Sequence, residues 1–368
     1  MCSTKPPLIK WLLMPVMAGL ALTACQGEPV SPAELAFYHA PIHYQDTDDT
    51  HPEADYLTRF DYDGDWDALN NWENLETGDL SGAVYYSVVE SCTHWFIVYG
   101  FFHPRDWTDT IEQEHENDME GLLAIVRKDR SEHGTLEGMV TVFHNDFYSF
   151  TPRDSPYTDG TQDIDGEIAW DAIWFTPHPL TSAEAEGHGL KVWPFAGHFQ
   201  GDEDEDGVIY YPSEKGPTVP RDGNDREARY QLISFFAPGG LWERQLQEAL
   251  TAYDQALTFA TWGTLKGDAG GGCGAGPSIC KANAAHLPWA WDDHNDDPVQ
   301  LGEMALDPAN LVRQYFDGLG EFSEVYISNP YLEGLRDAGL DAGNLPLGWP
   351  EGVELEGLLG RVGEGCGG

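Results

Sequence analysis

The chain has 368 residues and carries 63 acidic against 19 basic side chains, which gives a formal net charge of −44 at pH 7. So negative a surface repels nucleic acid and anionic lipid, and we therefore exclude nucleic-acid binding as a function. The same charge keeps the protein soluble by self-repulsion and favours bound cations.

Residues 1–24 have the pattern of an export signal. Lys5 and Lys10 form a basic start, and residues 11–22 form an apolar stretch. This stretch is shorter than the roughly 20 residues that a membrane-spanning helix needs. The pattern predicts a cleaved lipoprotein signal peptide, and the alternatives are a plain signal peptide or a membrane helix.

The signal ends in Leu22-Thr23-Ala24-Cys25, which resembles the cleavage box of bacterial lipoproteins. That resemblance implies cleavage before Cys25 and acylation of this cysteine, and several acyl chains on one residue give lasting attachment to a membrane. Gln26 resembles the sorting signal for the outer membrane of Gram-negative bacteria. We expect a lipid-anchored protein of the cell envelope, with residues 25–35 as lipidated cysteine and tether.

Short apolar segments separated by turn residues follow along the chain. They predict strands at 83–89, 95–102, 122–126, 138–147, 168–175, 190–193, 208–211 and 228–236. Apolar residues at helical spacing predict two helices, at 241–257 and 307–319. Many short strands and few helices predict a mainly β fold, a two-sheet antiparallel β-sandwich with peripheral helices. We expect this domain over residues 36–332, followed by a C-terminal extension over 333–368.

Four cysteines remain once Cys2 leaves with the signal and Cys25 is lipidated. They are Cys92, Cys273, Cys280 and Cys366. Exported proteins fold in an oxidising compartment, so these cysteines are disulfide candidates with three pairings open. Zinc binding is the alternative, but no C-x₂-C or histidine spacing supports it.

One acidic segment predicts a metal site. Asp106, His115, Asp118 and Glu120 bring three carboxylates and one imidazole within fifteen residues, between two predicted strands. Side chains alternate along a strand, so Asp118 and Glu120 project to one side, and we expect His115 in the preceding loop. This ligand set suits a hard divalent cation, with Mg²⁺ or Ca²⁺ expected. The alternative is an acidic turn in a very acidic protein.

A second acidic segment has the D-x-D-x-D-G spacing that opens a calcium-binding EF-hand loop. Its carboxylates are Asp202, Asp204 and Asp206, which form a second candidate calcium site. The glutamate that closes such a loop is missing, because Ser213 occupies its position. The alternative here is a solvated acidic turn.

Four segments follow one another along the chain: Phe102-His103-Pro104-Arg105-Asp106, the heptapeptide Glu114-His115-Glu116-Asn117-Asp118-Met119-Glu120, His188-Gly189 and Ala285-His286-Leu287-Pro288-Trp289. Together, and in this order, they resemble the motifs of the necrosis- and ethylene-inducing protein-like family of secreted toxins. A looser likeness to a vacuolar-sorting-associated family that shares the sandwich fits equally well.

The resemblance implies that the divalent-metal ligands fall on Asp106, His115, Asp118 and Glu120. In the family this site helps to bind a sphingolipid sugar head group at a host membrane. The family's heptapeptide is Gly-His-Arg-His-Asp-Trp-Glu, and this chain departs from it at four positions: Glu114, Glu116, Asn117 and Met119. These changes alter the rim of the site and keep the ligands.

The sequence therefore predicts a surface-exposed bacterial lipoprotein with a metal-dependent site for a glycan or glycolipid. A metal-dependent hydrolase using the same site, with Glu116 or His144 as general base, is the alternative. A structural envelope lipoprotein with incidental calcium is the second alternative. The chain has no G-x-S-x-G, H-E-x-x-H or phosphate-loop motif, so recognition without catalysis is the favoured interpretation.

Overall fold

The computed structural model describes residues 29–107, 114–144, 146–195, 207–250, 257–267, 283–294, 301–350, 352–363 and 366. The strands are β1 (Ile42–Gln45), β2 (Gly82–Ser91), β3 (His94–Asp106), β4 (His115–Arg127), β5 (Thr135–Phe143), β6 (Asp146–Thr151), β7 (Thr158–Asp159), β8 (Gly166–Glu167), β9 (Trp170–Ile173), β10 (Thr176–Ala183), β11 (Leu190–Val192), β12 (Val208–Pro212), β13 (Ala228–Ser234), β14 (Phe259–Thr261), β15 (Thr264–Lys266), β16 (Asn283–His286), β17 (Phe316–Asp317) and β18 (Tyr326–Ser328). The α-helices are α1 (Pro32–His39), α2 (Leu241–Ala249), α3 (Glu303–Leu306), α4 (Pro308–Tyr315), α5 (Pro330–Asp337) and α6 (Leu355–Leu359).

Most strands join one 13-stranded sheet in the order β11-β10-β1-β12-β13-β2-β3-β4-β5-β6-β8, with β9 paired to β10 and β18 to β2. The predicted mainly β fold is confirmed. The two-sheet antiparallel sandwich is not confirmed, because β1 pairs with β10, and β13 with both β12 and β2, in parallel. Parallel pairs need long crossover connections, and local hydrophobic patterns do not reveal these connections.

The sheet is buried on both faces. Along β3, Phe96 and Val98 belong to one hydrophobic cluster, whereas Ile97 and Tyr99 belong to a second one. The second cluster also contains Leu190 from β11 at one edge of the sheet, together with residues of β4 and β5. The sheet therefore curls round this cluster and brings β11 against β5.

Helices cover the two clusters from outside. Residues of α2, α4 and α5 pack into the first cluster, among them Trp242, Tyr315 and Leu335. Helix α1 supplies Leu35 and Ala36 to the second cluster. The predicted helix at 241–257 is found as α2, and its residues 251–256 lie outside the described part of the chain. The predicted helix at 307–319 is found as α4, which begins after Asp307.

Strand directions define two ends of the sheet. Strands β1, β3 and β10 run in one direction, and β4 runs antiparallel to β3. One end of the sheet, which we call the β3–β4 end, therefore contains Gln45, Asp106, His115 and Ala183. The beginnings of β1 and β10 lie at the opposite end. Helix α1 leads directly into β1 there, so we call it the α1 end.

The structure describes parts of the chain on both sides of the predicted domain. Residues 32–35, expected in the tether, form the first turn of α1. The extension after residue 332 places Leu335, Leu340 and Leu355 in the first hydrophobic cluster. The signal segment and Cys25 lie outside the described residues. In the ranges that the structure describes, no helix is long and apolar enough to cross a membrane.

Cys92 and Cys366 form a disulfide with their Cα atoms 5.4 Å apart. This bond confirms the disulfide prediction for one pair. Cys273 and Cys280 lie outside the described residues.

Candidate functional site

The four predicted metal ligands lie on two neighbouring strands at the β3–β4 end. Asp106 is the last residue of β3 and pairs with His115, while Asp118 pairs with His103 and Glu120 with Phe101. His115 was expected in a loop, but it is the first residue of β4 because the ladder with β3 extends to Asp106. This pairing brings ligands that are distant along the chain to one end of the sheet.

The carboxylates interact with one another. His115 Nε2 lies 3.7 Å from Asp106 Oδ2, and Asp118 and Glu120 are both buried. Burial raises the pKa of Glu120 well above its ordinary value, and the charges of Asp118, Glu184 and Asp106 raise it further. Burial therefore favours the neutral carboxyl of Glu120, whereas a bound cation would favour its charged form.

Two buried polar atoms of the four predicted ligands have no hydrogen-bond partner. They are Oε2 of Glu120 and Nδ1 of His115. The other oxygen of Glu120 accepts a 3.1 Å hydrogen bond from the backbone N–H of His144. Orphaned buried groups carry a free-energy penalty that a bound ligand removes. Carboxylate oxygens with one imidazole nitrogen fit a divalent cation.

A buried hydrogen-bond network of His188 and Asp55 orients Asp118. His188 is fully buried, with Nδ1 2.8 Å from Asp118 Oδ2 and Nε2 2.9 Å from Asp55 Oδ1. Both carboxylates accept, so both ring nitrogens donate and the ring is an imidazolium. Burial alone would lower the pKa of His188, but these two carboxylates raise it to about 10. Burial would likewise raise the pKa of Asp118, but His188 outweighs this effect and lowers it.

His103 lies against this network. Its ring stacks on that of His188 with centroids 3.8 Å apart, and its Nε2 donates to Gln45 Oε1 at 2.9 Å. Burial and the neighbouring histidines lower the pKa of His103 well below its ordinary value, so the ring is neutral. Its Nδ1 has no hydrogen-bond partner and is therefore an available lone pair beside Asp118.

Within the described ranges, one set of three potential ligand side chains has its atoms within 4.8 Å of one another: His103, Asp118 and His188. An imidazolium cannot ligate a metal, so His188 orients Asp118 and does not itself coordinate. The four predicted ligands do not form so compact a set. Sequence reasoning named His188 and His103 only as members of the segments that carry the family resemblance, and it missed Asp55 and Gln45 as neighbours of the site.

His144 lies at the rim of the site, directly after β5. Its Nε2 is 2.8 Å from Glu184 Oε1 and its Nδ1 is 3.9 Å from Glu120 Oε1, with the side chain 43% exposed. Burial lowers the pKa of His144, but Glu184 and the acidic charges of the site outweigh it and raise the pKa. The rim thus carries an imidazole–carboxylate pair that solvent can reach.

Two of the heptapeptide positions that depart from the family are structural. Glu116 is fully buried and accepts a 2.6 Å hydrogen bond from the backbone N–H of Trp72. Asn117 has a φ of 61° and donates to the carbonyl oxygens of Ala68 and Lys266. Asparagine tolerates this left-handed conformation better than most residues. Glu116 is therefore tied to the backbone and is not positioned as a general base.

An aromatic group surrounds Trp107, the residue that follows Asp106 in the chain. The rings of Trp72 and Trp107 lie 5.1 Å apart, and His51 lies 4.2 Å from Trp107. Beneath them the guanidinium of Arg105 lies 4.3 Å from the Trp107 ring and pairs with Glu114. Both indoles are partly exposed, and indole faces of this kind stack on sugars. The second candidate calcium site, Asp202, Asp204 and Asp206, lies outside the described residues.

No family model matches the chain, and no curated protein matches it. The solved structures that match are necrosis- and ethylene-inducing proteins. "Crystal structure of non-toxic HaNLP3 protein" is 15% identical over 47% of this chain and 75% of that one, with a TM-score of 0.26. Necrosis and Ethylene inducing Protein 2 from the causal agent of cocoa's Witches Broom disease is 13% identical over 56% and 76%, with a TM-score of 0.27. NLPPya in complex with mannosamine is 14% identical over 57% and 77%, with a TM-score of 0.28.

Proposed function

We propose that the protein is a surface-exposed bacterial lipoprotein that recognises a glycan or glycolipid head group through a bound divalent cation. Asp106, His115, Asp118 and Glu120 hold the cation, which is Mg²⁺ or Ca²⁺. An acylated Cys25 anchors the protein in the envelope, at the outer membrane of a Gram-negative cell. The observation that carries the proposal is the buried Glu120 carboxyl, whose Oε2 has no partner beside the charge of Asp118.

A cation resolves the electrostatic conflict in this cluster. Asp106 and Asp118 both disfavour the charged form of Glu120, whereas a divalent cation favours it. The nearby positive charges already have partners. Arg105 pairs with Glu114, and His188 pairs with Asp118. His188 and the backbone N–H of Met119, which donates to Asp118 Oδ1 at 2.8 Å, orient this carboxylate in advance.

A glycan suits the remaining coordination positions and the rim. Sugar hydroxyls replace water on Mg²⁺ or Ca²⁺ without needing a general base. The partly exposed rings of Trp72 and Trp107, next to Asp106, supply apolar faces for a sugar ring. Complexes with glucosamine and mannosamine are known for NLPPya; for this chain the choice of a glycan rests on the aromatic rim.

The test is a glycan and glycolipid array probed with Ca²⁺ or Mg²⁺ and again after EDTA. We expect binding that EDTA abolishes and that Asp118→Asn and Glu120→Gln remove. Trp107→Ala should weaken glycan binding while leaving metal binding intact. The matched control is Asp204→Asn in the separate acidic segment, which should retain both. Equal thermal stabilisation of wild type and Asp118→Asn by each cation would exclude this site as the metal site.

A metal-dependent hydrolase is the second candidate, and the His144–Glu184 pair favours it. A rim imidazole whose pKa is raised by a carboxylate, 3.9 Å from Glu120, has the composition of an acid–base pair. Hydrolysis of an array ligand in the presence of metal, lost in His144→Ala while binding persists, would establish this activity. Binding without turnover by wild type excludes it for that ligand.

A further inference from the structure

The hairpin of β9 and β10 carries the most exposed aromatic residues of the described chain. Ile173 pairs with Thr176, so Trp174 and Phe175 alone form the turn. The side chain of Trp174 is 84% exposed and that of Phe175 is 98% exposed. Neither of these two exposed aromatic residues belongs to a hydrophobic cluster. Core packing therefore does not require them.

The backbone at this tip is unfavourable for the residues it carries. Trp174 has a φ of 50° and Phe175 a φ of 77°. A two-residue hairpin turn of type I′ has positive φ at both positions, and Asn-Gly is the preferred pair there. Bulky side chains in this region cost conformational energy. The aromatic residues are thus retained against the local backbone preference, which is typical of functional positions.

The tip projects from the α1 end. Residue Leu180 pairs with Ile42, the first residue of β1, so the five residues back to Phe175 extend about 16 Å beyond that point. Helix α1 lies at the base of this projection, because His178 Nδ1 is 2.7 Å from the carbonyl oxygen of Ala40 and the ring of Phe37 lies 6.4 Å away.

The predicted lipid anchor leaves the protein from the same end. Val30 packs on the cluster that α1 covers, and α1 is only about 12 Å long. Pro29 is the fourth residue after Cys25, and a chain of this length spans at most about 14 Å. An acylated Cys25 therefore holds the α1 end close to the bilayer. The predicted metal ligands, on β3 and β4, lie at the opposite end of the sheet.

We propose that Trp174 and Phe175 insert into the lipid interface of the membrane that carries the acyl anchor. This second contact holds the metal site facing away from that membrane. Trp favours the headgroup level of a bilayer, and Phe favours the adjoining acyl region. Which membrane the tip contacts depends on the lipid anchor of the proposed function. The affinity of the tip for lipid does not depend on that anchor.

The charges around the tip indicate zwitterionic lipid. Lys215 Nζ lies 5.8 Å from the Trp174 ring and can reach a headgroup phosphate, as lysines at membrane interfaces do. Asp171 on β9 is exposed and offsets this charge. With a net charge of −44 on the whole chain, anionic lipid should weaken the contact.

The experiment uses the full mature chain carrying Cys25→Ser, so that acyl chains do not dominate. Co-sedimentation with vesicles of phosphatidylcholine and phosphatidylethanolamine measures its partitioning. The test variant is Trp174→Asn with Phe175→Gly, because Asn-Gly suits the turn and preserves the hairpin. The matched control is Leu347→Ser, which removes an apolar side chain that is 62% exposed elsewhere.

We expect wild type to bind the vesicles and the tip variant to bind at least about tenfold more weakly, since two apolar side chains are removed. The Leu347→Ser control should match wild type, and added phosphatidylglycerol should not strengthen binding. Equal partitioning of wild type and tip variant, or no binding by wild type, overturns the proposal. A concentration-dependent dimer that the tip variant lacks also overturns it, in favour of a second copy of the chain.

Thermal stabilisation by Ca²⁺ or Mg²⁺ should be the same in the tip variant and wild type. Loss of that stabilisation, or an unlipidated Cys25 in native protein, would count against the proposed function and leave the vesicle result intact. The two proposals therefore fail separately.

Discussion

Nδ1 of His188 donates a 2.8 Å hydrogen bond to Oδ2 of Asp118, one of the buried predicted metal ligands. The other ring nitrogen donates to Asp55, so one buried imidazolium joins two buried carboxylates. Removing one partner of such a buried ion network leaves the others charged without compensation. Asp118 thus depends on His188 both for its ionised state and for its orientation.

Replacing His188 with alanine should therefore destabilise the metal-free protein strongly. We expect a loss of about 3–5 kcal/mol in the free energy of unfolding, the usual effect of breaking a buried ion pair. Urea denaturation in EDTA measures it. The matched control is His144→Ala at the rim of the same cluster, where an exposed pair contributes about 0–1 kcal/mol. Similar losses in both variants would contradict a special role for the buried network.

The same network predicts a dependence on alkaline pH. The pKa of His188 is about 10 in the folded protein, above the ordinary value of about 6.5 for an unfolded chain. The stabilisation by the imidazolium is therefore complete below pH 6.5 and is lost as the pH rises through 10. The difference in unfolding free energy between wild type and His188→Ala should shrink over this interval. A constant difference from pH 6.5 to 10 would show that the ring is not charged.

Metal binding should release a proton from Glu120. Burial raises the pKa of this carboxyl well above its ordinary value, and a metal ligand must be ionised. Below that raised pKa, the affinity for Ca²⁺ or Mg²⁺ should fall about tenfold per pH unit as the pH drops. Calorimetry in buffers of different ionisation enthalpy counts the released protons.

The control for this proton is Glu248 in α2, whose pKa burial also raises, away from the metal site. Glu248→Gln should bind metal with the pH dependence of wild type, whereas Glu120→Gln should bind weakly and without the released proton. Proton release that persists in Glu120→Gln would assign it to another group.

Local hydrophobic patterns identified the strands that are continuously apolar. They did not identify strands whose apolar run is interrupted by polar site residues or by proline. The predicted strand at 122–126 is the apolar half of β4, and the polar half from His115 to Glu120 becomes a strand only through pairing with β3. Strand β10 was missed because Pro177 and Pro179 disfavour a strand locally. Both prolines nevertheless pair with residues of β9.

Asp118 and Glu120 share one side of β4 because they are two residues apart, a spacing that a sequence reveals. The polar residues that hydrogen-bond to the neighbours of these ligands were not predictable from the sequence. Asp55 contacts His188 across more than a hundred residues of chain, and Gln45 reaches His103 from β1. Such contacts arise from the curl of the sheet, and no local period indicates which distant polar residue will face a ligand.

The Cys92–Cys366 disulfide should stabilise the protein appreciably. It joins residues 274 positions apart, and a long loop loses the most entropy in the unfolded chain when it is closed. We expect the double variant Cys92→Ala and Cys366→Ala to lose about 2–5 kcal/mol in the free energy of unfolding. Urea denaturation without reductant measures it. An unchanged midpoint would show that the bond constrains only the terminus.

Acid should loosen the α1 end through His39. This residue of α1 is buried, its Nε2 donates a 2.8 Å hydrogen bond to the carbonyl oxygen of His133, and burial lowers its pKa to about 4. The unfolded chain takes up this proton near pH 6.5, so stability falls as the pH drops from 6.5 to 4, by about 3 kcal/mol from this group. His39→Gln keeps an amide that can donate to His133 and removes the titration. Its unfolding free energy should therefore fall less steeply than that of wild type between pH 6.5 and 4. Parallel profiles for the two proteins would show that His39 is not buried in its neutral form, and the packing of α1 on the sheet would then need another explanation.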